Sequence, residues 1–217
     1  MAGCFFGRLK KAVLLAALSG LSACAQFQYQ PVATIDKVDR SQGYRFDAEA
    51  GKPQDDDMLV VLMFSGGGTR AAALGYGVLE ELDKQKIYSG GREKSLLDAV
   101  DLVYGVSGGS VLAAYFSLHG KETIPSFERR FLKQNFQRQV SKQVFSLANV
   151  PRLTSPEFGR GDLLQEQFES TLFKNATFGD LASRRKGPFA VITATDMSLG
   201  NRFEFTQEYF DMMCSEK

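Results

Sequence analysis

The sequence lacks a strong excess of either charge and any long apolar segment. Lysine and arginine together number 26, and aspartate and glutamate 25, which gives a net charge of +1. That balance does not point to a nucleic-acid partner, because nucleic-acid sites are strongly basic. The apolar run near the N-terminus, Ala12–Leu21, has ten residues, whereas a membrane-spanning helix needs about twenty. The sequence therefore predicts neither a nucleic-acid-binding protein nor a transmembrane helix in this run.

The first residues have the pattern of an export signal. Three basic residues within positions 8–11 precede the apolar run, as in the basic region of a signal peptide. Residues 21–24, LSAC, resemble the lipobox of bacterial lipoproteins, which implies cleavage before Cys24 and acylation of its thiol. An ordinary secretory signal with an incidental cysteine is the alternative. Because Ala25 and not aspartate follows the cysteine, we expect a lipid-anchored protein of the bacterial cell envelope, at the outer membrane.

Cysteine is too scarce for a disulfide framework. Of three cysteines, Cys4 lies in the predicted signal peptide (1–23), and Cys24 is predicted to carry lipid. Cys214 then has no partner within the chain. We expect it to act as a small buried hydrophobic residue.

Strands and helices begin to alternate at residue 58, after a polar tether and N-terminal arm over residues 24–57. "MLVVLMF", 58–64, is a continuous apolar run, which indicates a strand buried on both faces of a parallel sheet. A helix over Arg70–Lys86 and a second strand over Ala99–Val106 follow. A further helix comes next, and Phe189–Thr195 is a third core strand. This order predicts an α/β domain over 58–217.

The helices carry three specific predictions. Ser126–Leu147 is predicted as one long amphipathic helix, and Asp162 as the N-cap of the helix after it. In the first helix, the predicted apolar face consists of Leu74, Val78, Leu79 and Leu82.

A serine lies between glycines where the second strand meets its helix. Gly105, Ser107 and Gly109 match G-x-S-x-G, the nucleophile elbow. A serine on this sharp turn has a strained backbone, and side chains two residues away on either side would collide. The strand before the motif and the helix after it strengthen an otherwise weak pentapeptide. We therefore predict Ser107 as a catalytic nucleophile.

A second glycine-rich stretch, FSGGGTRAAALG at 64–75, follows the first strand. Gly66, Gly67 and Gly68 leave backbone N–H groups approachable, and an acyl-transfer enzyme needs such donors for its oxyanion. Arg70 adds a positive charge in the first helical turn. The stretch is not a P-loop, because no Gly-Lys-Ser/Thr follows. It does match the dinucleotide pattern G-x-G-x-x-A, but the next strand does not end in the acidic residue which that fold requires.

In this order, the two motifs resemble those of the patatin-like phospholipases, a family of serine lipid hydrolases. The resemblance runs from about Met58 to Phe205, and ATDMSLGNRFEF at 194–205 is similar to the family's strand-turn-strand. It implies a three-layer α/β/α fold with a mainly parallel sheet. It also implies Ser107 as nucleophile and an oxyanion hole at Gly66–Gly68, assisted by Arg70.

The sequence departs from the family pattern at two positions of the first motif. Ser65 and Ala71 stand where the family often has aspartate and glycine. Both positions are peripheral to the predicted oxyanion donors.

The base that would activate the serine is not evident. His119 follows Ser107 by twelve residues, and a helix of that length would separate them by about 18 Å, which excludes a Ser-His-Asp triad. The resemblance implies a serine–aspartate dyad, with the aspartate in an Asp-Gly-Gly or Asp-Gly-Ala motif. The sequence has no Asp-Gly pair, so we expect the dyad aspartate beyond Lys217, in a chain truncated before that motif. Asp196, at the end of the third core strand, is the substitute candidate.

These predictions describe an enzyme without cofactor or metal. It is expected to hydrolyse carboxylic esters of phospholipids or lysophospholipids through a serine acyl-enzyme. Residues 1–217 alone are expected to be nearly inactive. The alternative is a catalytically inactive envelope lipoprotein that retains part of the patatin-like fold.

Overall fold

The computed structural model describes residues 33–46, 58–155 and 158–215. The predicted signal peptide, the lipidation residue Cys24 and part of the predicted tether lie outside the described residues. Within the described ranges, the helices are too short or too polar to cross a bilayer.

Strands of the described residues form a four-stranded sheet and a separate hairpin. The strands are β1 (Val60–Phe64), β2 (Lys86–Ser89), β3 (Arg92–Ser95), β4 (Val100–Val106), β5 (Phe189–Thr195) and β6 (Arg202–Glu204). The large sheet has the order β1-β4-β5-β6, and β2 pairs with β3. The β1–β4 and β4–β5 pairs are parallel, while β6 returns antiparallel to β5. The predicted α/β class with a mainly parallel sheet is confirmed.

Helices fill the connections between the strands. They are α1 (Gly68–Lys84), α2 (Gly108–His119), α3 (Thr123–Phe127), α4 (Phe136–Val144), α5 (Val150–Leu153), α6 (Arg160–Phe168), α7 (Phe178–Arg184) and α8 (Gln207–Met212). Since β1, β4 and β5 are parallel, their C-terminal ends share one edge of the sheet. The glycine-rich stretch after β1 and the G-x-S-x-G motif after β4 therefore meet at that edge.

The N-terminal residues 33–46 pack on the domain through Tyr44 and Arg45. The Tyr44 ring stacks on Phe189 at 4.2 Å between centroids. Its hydroxyl donates to the carbonyl of Ala190 at 2.9 Å and accepts from the Ala190 N–H at 2.7 Å. Buried Arg45 forms an ion pair with Asp211 at 2.7 Å. These contacts join residues 33–46 to β5 and to α8.

The single helix predicted over Ser126–Leu147 is wrong. α3 continues into a π-helical turn over Glu128–Leu132, after which the chain is no longer helical. A new helix, α4, then begins, and the Asn135 side chain caps it by accepting a hydrogen bond from the Arg138 N–H. Phe131 and Phe136 are five residues apart, which on a continuous α-helix would turn them about 140° from each other. The interruption brings both rings into contact at 5.2 Å, so the apolar pattern is satisfied by two helices.

The predicted apolar face of the first helix is also wrong in part. Leu74 and Val78 are exposed, at 73% and 41%, while the buried positions of α1 are Ala72, Gly75, Tyr76 and Leu79. A Cβ placed on Gly75 would lie 2.7 Å from the Leu112 side chain. α1 therefore places Gly75 against α2, because a glycine there allows the two helices to approach closely.

Three smaller predictions are also wrong. β1 is an edge strand in the described sheet and not one buried on both faces, since Met63 is 78% exposed. Gly159 precedes α6 as its N-cap, and Asp162 lies one turn inside, where its carboxylate accepts from the Gly159 N–H. Cys214 is exposed rather than buried.

Candidate active site

Ser107 occupies a strained turn between β4 and α2. Its backbone has φ 53° and ψ −118°, which is unfavourable for a residue with a side chain and is found mostly where function requires it. A Cβ on Gly105 would lie 2.5 Å from the Ser110 Cα. A Cβ on Gly109 would lie 2.4 Å from the Phe64 carbonyl oxygen. Both flanking positions of the motif therefore have room only for glycine.

The glycine-rich stretch after β1 contacts this turn. A Cβ placed on Gly66 would lie 3.6 Å from the Ser107 Cβ. Gly67 and Gly68 have φ 137° and 63°, in the region that glycine adopts at little cost. The structure thus brings Ser107 together with the glycines predicted to form the oxyanion hole.

Gly108 is a residue of this site that the sequence analysis did not single out. A Cβ on Gly108 would lie 2.2 Å from the Gly68 carbonyl oxygen, so the start of α2 rests directly against the start of α1. The adjacent pair Gly108-Gly109 was a signal of such close backbone packing. Only the fold reveals that Gly68 is the partner.

The N-termini of α1 and α2 meet at this site, and neither helix has an acidic residue in its first turn to offset the positive end of its dipole. Neither N-cap residue, Gly67 or Ser107, makes a side-chain cap hydrogen bond. The free N–H groups and aligned peptide dipoles at such ends favour negative charge. The site is therefore suited to an oxyanion.

Arg70 adds a full positive charge in the first turn of α1. Its side chain is exposed and makes no ion pair with a described residue. A cation at a helix N-terminus is electrostatically unfavourable. The arrangement therefore leaves its charge available for an anionic group.

Asp196 follows β5 at the same edge, but its carboxylate is bound within a turn. Oδ1 accepts from the N–H groups of Ser198 and Leu199, at 2.8 and 3.2 Å. The Asp196 backbone closes the same turn through Asn201 and Gly200. The Ser107 hydroxyl has no hydrogen-bond partner among the described residues.

His119 lies at the opposite end of α2 from Ser107. Its ring packs on Tyr115 at 4.2 Å between centroids, and burial lowers its pKa. A cavity of about 480 Å³ lies beside it, and its lining includes Val100 and Pro188. Val100 is the first residue of β4, and Pro188 directly precedes β5. This cavity is therefore at the far edge of the sheet, and His119 is not placed to act on Ser107.

Comparison with known families identifies the chain. Residues 62–212, more than half of the sequence, match the model of the family described as Patatin-like phospholipase. The chain belongs to the patatin-like phospholipase family. A search of curated proteins found no match.

The patatin-like match contains the whole site described above. It begins within β1 and ends at the last residue of α8, so it includes both glycine-rich motifs and the turn after β5. Membership supports the patatin fold and, in general terms, an esterase of the lipid hydrolase class.

Proposed function

We propose that this patatin-like protein hydrolyses the carboxylic ester bond of phospholipids or lysophospholipids, with Ser107 as nucleophile. The observation that carries the proposal is the contact between the starts of α1 and α2, at Gly68 and Gly108. It places free backbone donors beside a serine held at positive φ.

The reaction runs through an acyl-enzyme. The Ser107 oxygen attacks the ester carbonyl carbon while a base takes the hydroxyl proton. The oxyanion is stabilised by the N–H groups of Gly66–Gly68, with Arg70 contributing its charge. The leaving alcohol receives the proton from the base. The same base then deprotonates a water molecule, whose oxygen attacks the acyl carbon and breaks its bond to the Ser107 oxygen. The base gives its proton to that oxygen, which releases the fatty acid and restores Ser107.

We assign the base to an aspartate outside residues 1–217, as the family's serine–aspartate dyad implies. Support comes from the described residues, where His119 is at the wrong end of α2 and the Asp196 carboxylate is held by its own turn. Asp196 is the substitute within the chain.

Residues 1–217 are expected to show little turnover, because general-base assistance typically contributes about 10²–10⁴-fold. The test compares this chain with the gene product read past Lys217, on a short-chain ester and on a phospholipid. In the longer product, Asp→Asn in an Asp-Gly-Gly or Asp-Gly-Ala motif is expected to cause a loss of the same order.

Turnover by residues 1–217 within tenfold of the longer product would contradict this assignment. Asp196→Asn would then be the next variant to measure. A longer product that lacks the motif and hydrolyses neither substrate would favour the inactive envelope lipoprotein.

Apolar side chains near the serine support a lipid substrate. Met197 and Leu199 are 96% and 72% exposed. Both lie on the turn after β5, at the edge where Ser107 emerges from the neighbouring strand β4. Exposed apolar groups beside a site favour contact with a lipid surface over contact with a small polar substrate.

We further propose that Cys24 anchors the protein to the bacterial outer membrane by its acyl chains. Support comes from the LSAC sequence behind the short apolar run. Cys24→Ala is expected to leave an unprocessed or soluble product, since two acyl chains bind membranes firmly and one binds only marginally. Partitioning into detergent measures this, and an unchanged detergent fraction for Cys24→Ala would refute the anchor.

A further inference from the structure

An apolar groove lies between α2 and α7, on the face of the sheet that α2 covers. It has a volume of about 190 Å³ and is lined by residues that include Ala114, Leu118, Phe178, Leu181 and Ile192. We call it the α2–α7 groove. Of its lining side chains, only Thr177 carries a polar group.

The groove begins close to the nucleophile. Ile192 of β5 pairs in the sheet with Gly105 of β4, and Gly105 lies two residues before Ser107. The Thr193 hydroxyl donates to the Gly105 carbonyl at 2.8 Å. Ala114 lies seven residues beyond Ser107 on α2, which is about 10 Å along a helix.

Small side chains separate the groove from Ser107. Ser110, Ala114 and Leu118 follow each other at four-residue spacing along α2, so they share one face. On β5, Ala194 is the next residue after Ile192 on the same face, and it is exposed. Serine and alanine are small, so these positions would leave room for an acyl chain to pass from the nucleophile to the apolar lining.

We propose that the α2–α7 groove holds the acyl chain of the ester that Ser107 attacks. This inference rests on the proposed function. The lining is apolar, which suits a hydrocarbon chain and not a charged headgroup. Its volume is below the roughly 300–1,000 Å³ of sites for drug-sized ligands, which suits one chain. The headgroup side of the ester then faces the open edge of the sheet.

Chain-length selectivity tests the proposal. For p-nitrophenyl esters from acetate to octanoate, kcat/KM of the catalytically complete gene product is expected to rise by about fourfold per methylene until the groove is full. Ala114→Leu fills the groove and is expected to lower the octanoate-to-acetate ratio of kcat/KM by about tenfold or more. Ala182→Leu, on the exposed face of α7, is the matched control and should keep the ratio.

A variant of opposite sign and a binding measurement complete the test. Leu118→Ala enlarges the groove and is expected to shift the preferred ester to longer chains. Titration calorimetry measures the binding of octanoate to the Ser107→Ala variant. Adding Ala114→Leu to this variant is expected to weaken octanoate binding, whereas adding Ala182→Leu should leave it unchanged.

The two proposals fail differently. The gene product could hydrolyse esters while Ala114→Leu and Leu118→Ala change neither the chain-length profile nor octanoate binding. That result would overturn the groove proposal and leave the proposed function intact. Octanoate binding that depends on Ala114, in a gene product that hydrolyses no ester, would overturn the proposed function and show the groove to be a fatty-acid-binding site instead of a substrate site.

Discussion

Replacing Ser107 by alanine in the catalytically complete gene product is expected to lower kcat on a short-chain ester by about 10⁶-fold, the loss seen when a serine hydrolase loses its nucleophile. The hydroxyl is the group that forms the acyl-enzyme, and the remaining donors bind the oxyanion without supplying an attacking atom. The backbone strain at this position, φ 53°, should ease only slightly, because alanine also carries a Cβ. The fold should therefore survive the substitution.

A fluorophosphonate probe gives a second measurement of the same prediction. In the longer gene product, Ser107 is expected to be the serine labelled, with the modified peptide identified by mass spectrometry. Ser183→Ala is the control, since Ser183 is exposed on α7 and its hydroxyl donates to the Gly179 carbonyl. Persistent labelling of Ser107→Ala would remove Ser107 from the mechanism.

Replacing Gly108 by alanine in the same gene product is expected to reduce kcat by about 10²–10³-fold, comparable to the loss of an oxyanion donor. The added methyl group would lie 2.2 Å from the Gly68 carbonyl oxygen. Both partners belong to the backbone, so the starts of α1 and α2 must move apart. Overpacking of this kind also costs about 1–3 kcal/mol of stability.

Gly77→Ala is the matched control for this change. Gly77 is exposed within α1, and no described residue would lie within 4 Å of a Cβ there. Alanine in a helix interior is more stable than glycine by about 0.5–1 kcal/mol, so this variant should unfold at higher denaturant with activity retained. A folded Gly108→Ala protein with kcat within threefold of the parent would show that the contact of the two helix starts is not needed for catalysis.

Local sequence patterns were sufficient to predict the elements that carry the site. β1 is a continuous apolar run, β4 and β5 are mostly apolar, and each is followed by polar or glycine-rich residues. Backbone preferences act over a few residues, and hydrophobic periodicity over one element, so both can be read from the chain alone. The same reasoning applies to Gly105 of G-x-S-x-G, because its clash is with Ser110, five residues away. It does not apply to Gly109, because an added Cβ there would meet Phe64 of β1.

Patterns within one element could not decide which face of it is buried. Leu74 and Val78 are apolar and correctly spaced for a helix face, yet both are exposed. The neighbour of α1 is α2, and close contact at Gly75 and Leu112 favours small side chains over large ones. Burial is a property of a pair of surfaces, and the second surface lies far away in sequence.

The fold class, the strained turn at Ser107 and the glycine-rich stretch after β1 could all be predicted from the order of the amino acids. The contact between Gly68 and Gly108, and the α2–α7 groove beside Ile192, are evident only in the folded domain. A strand, a helix or a tight turn is stabilised mainly by residues close together in the chain. A contact between two helix starts, or an empty space between α2 and α7, depends on how separate elements pack, which no local pattern records.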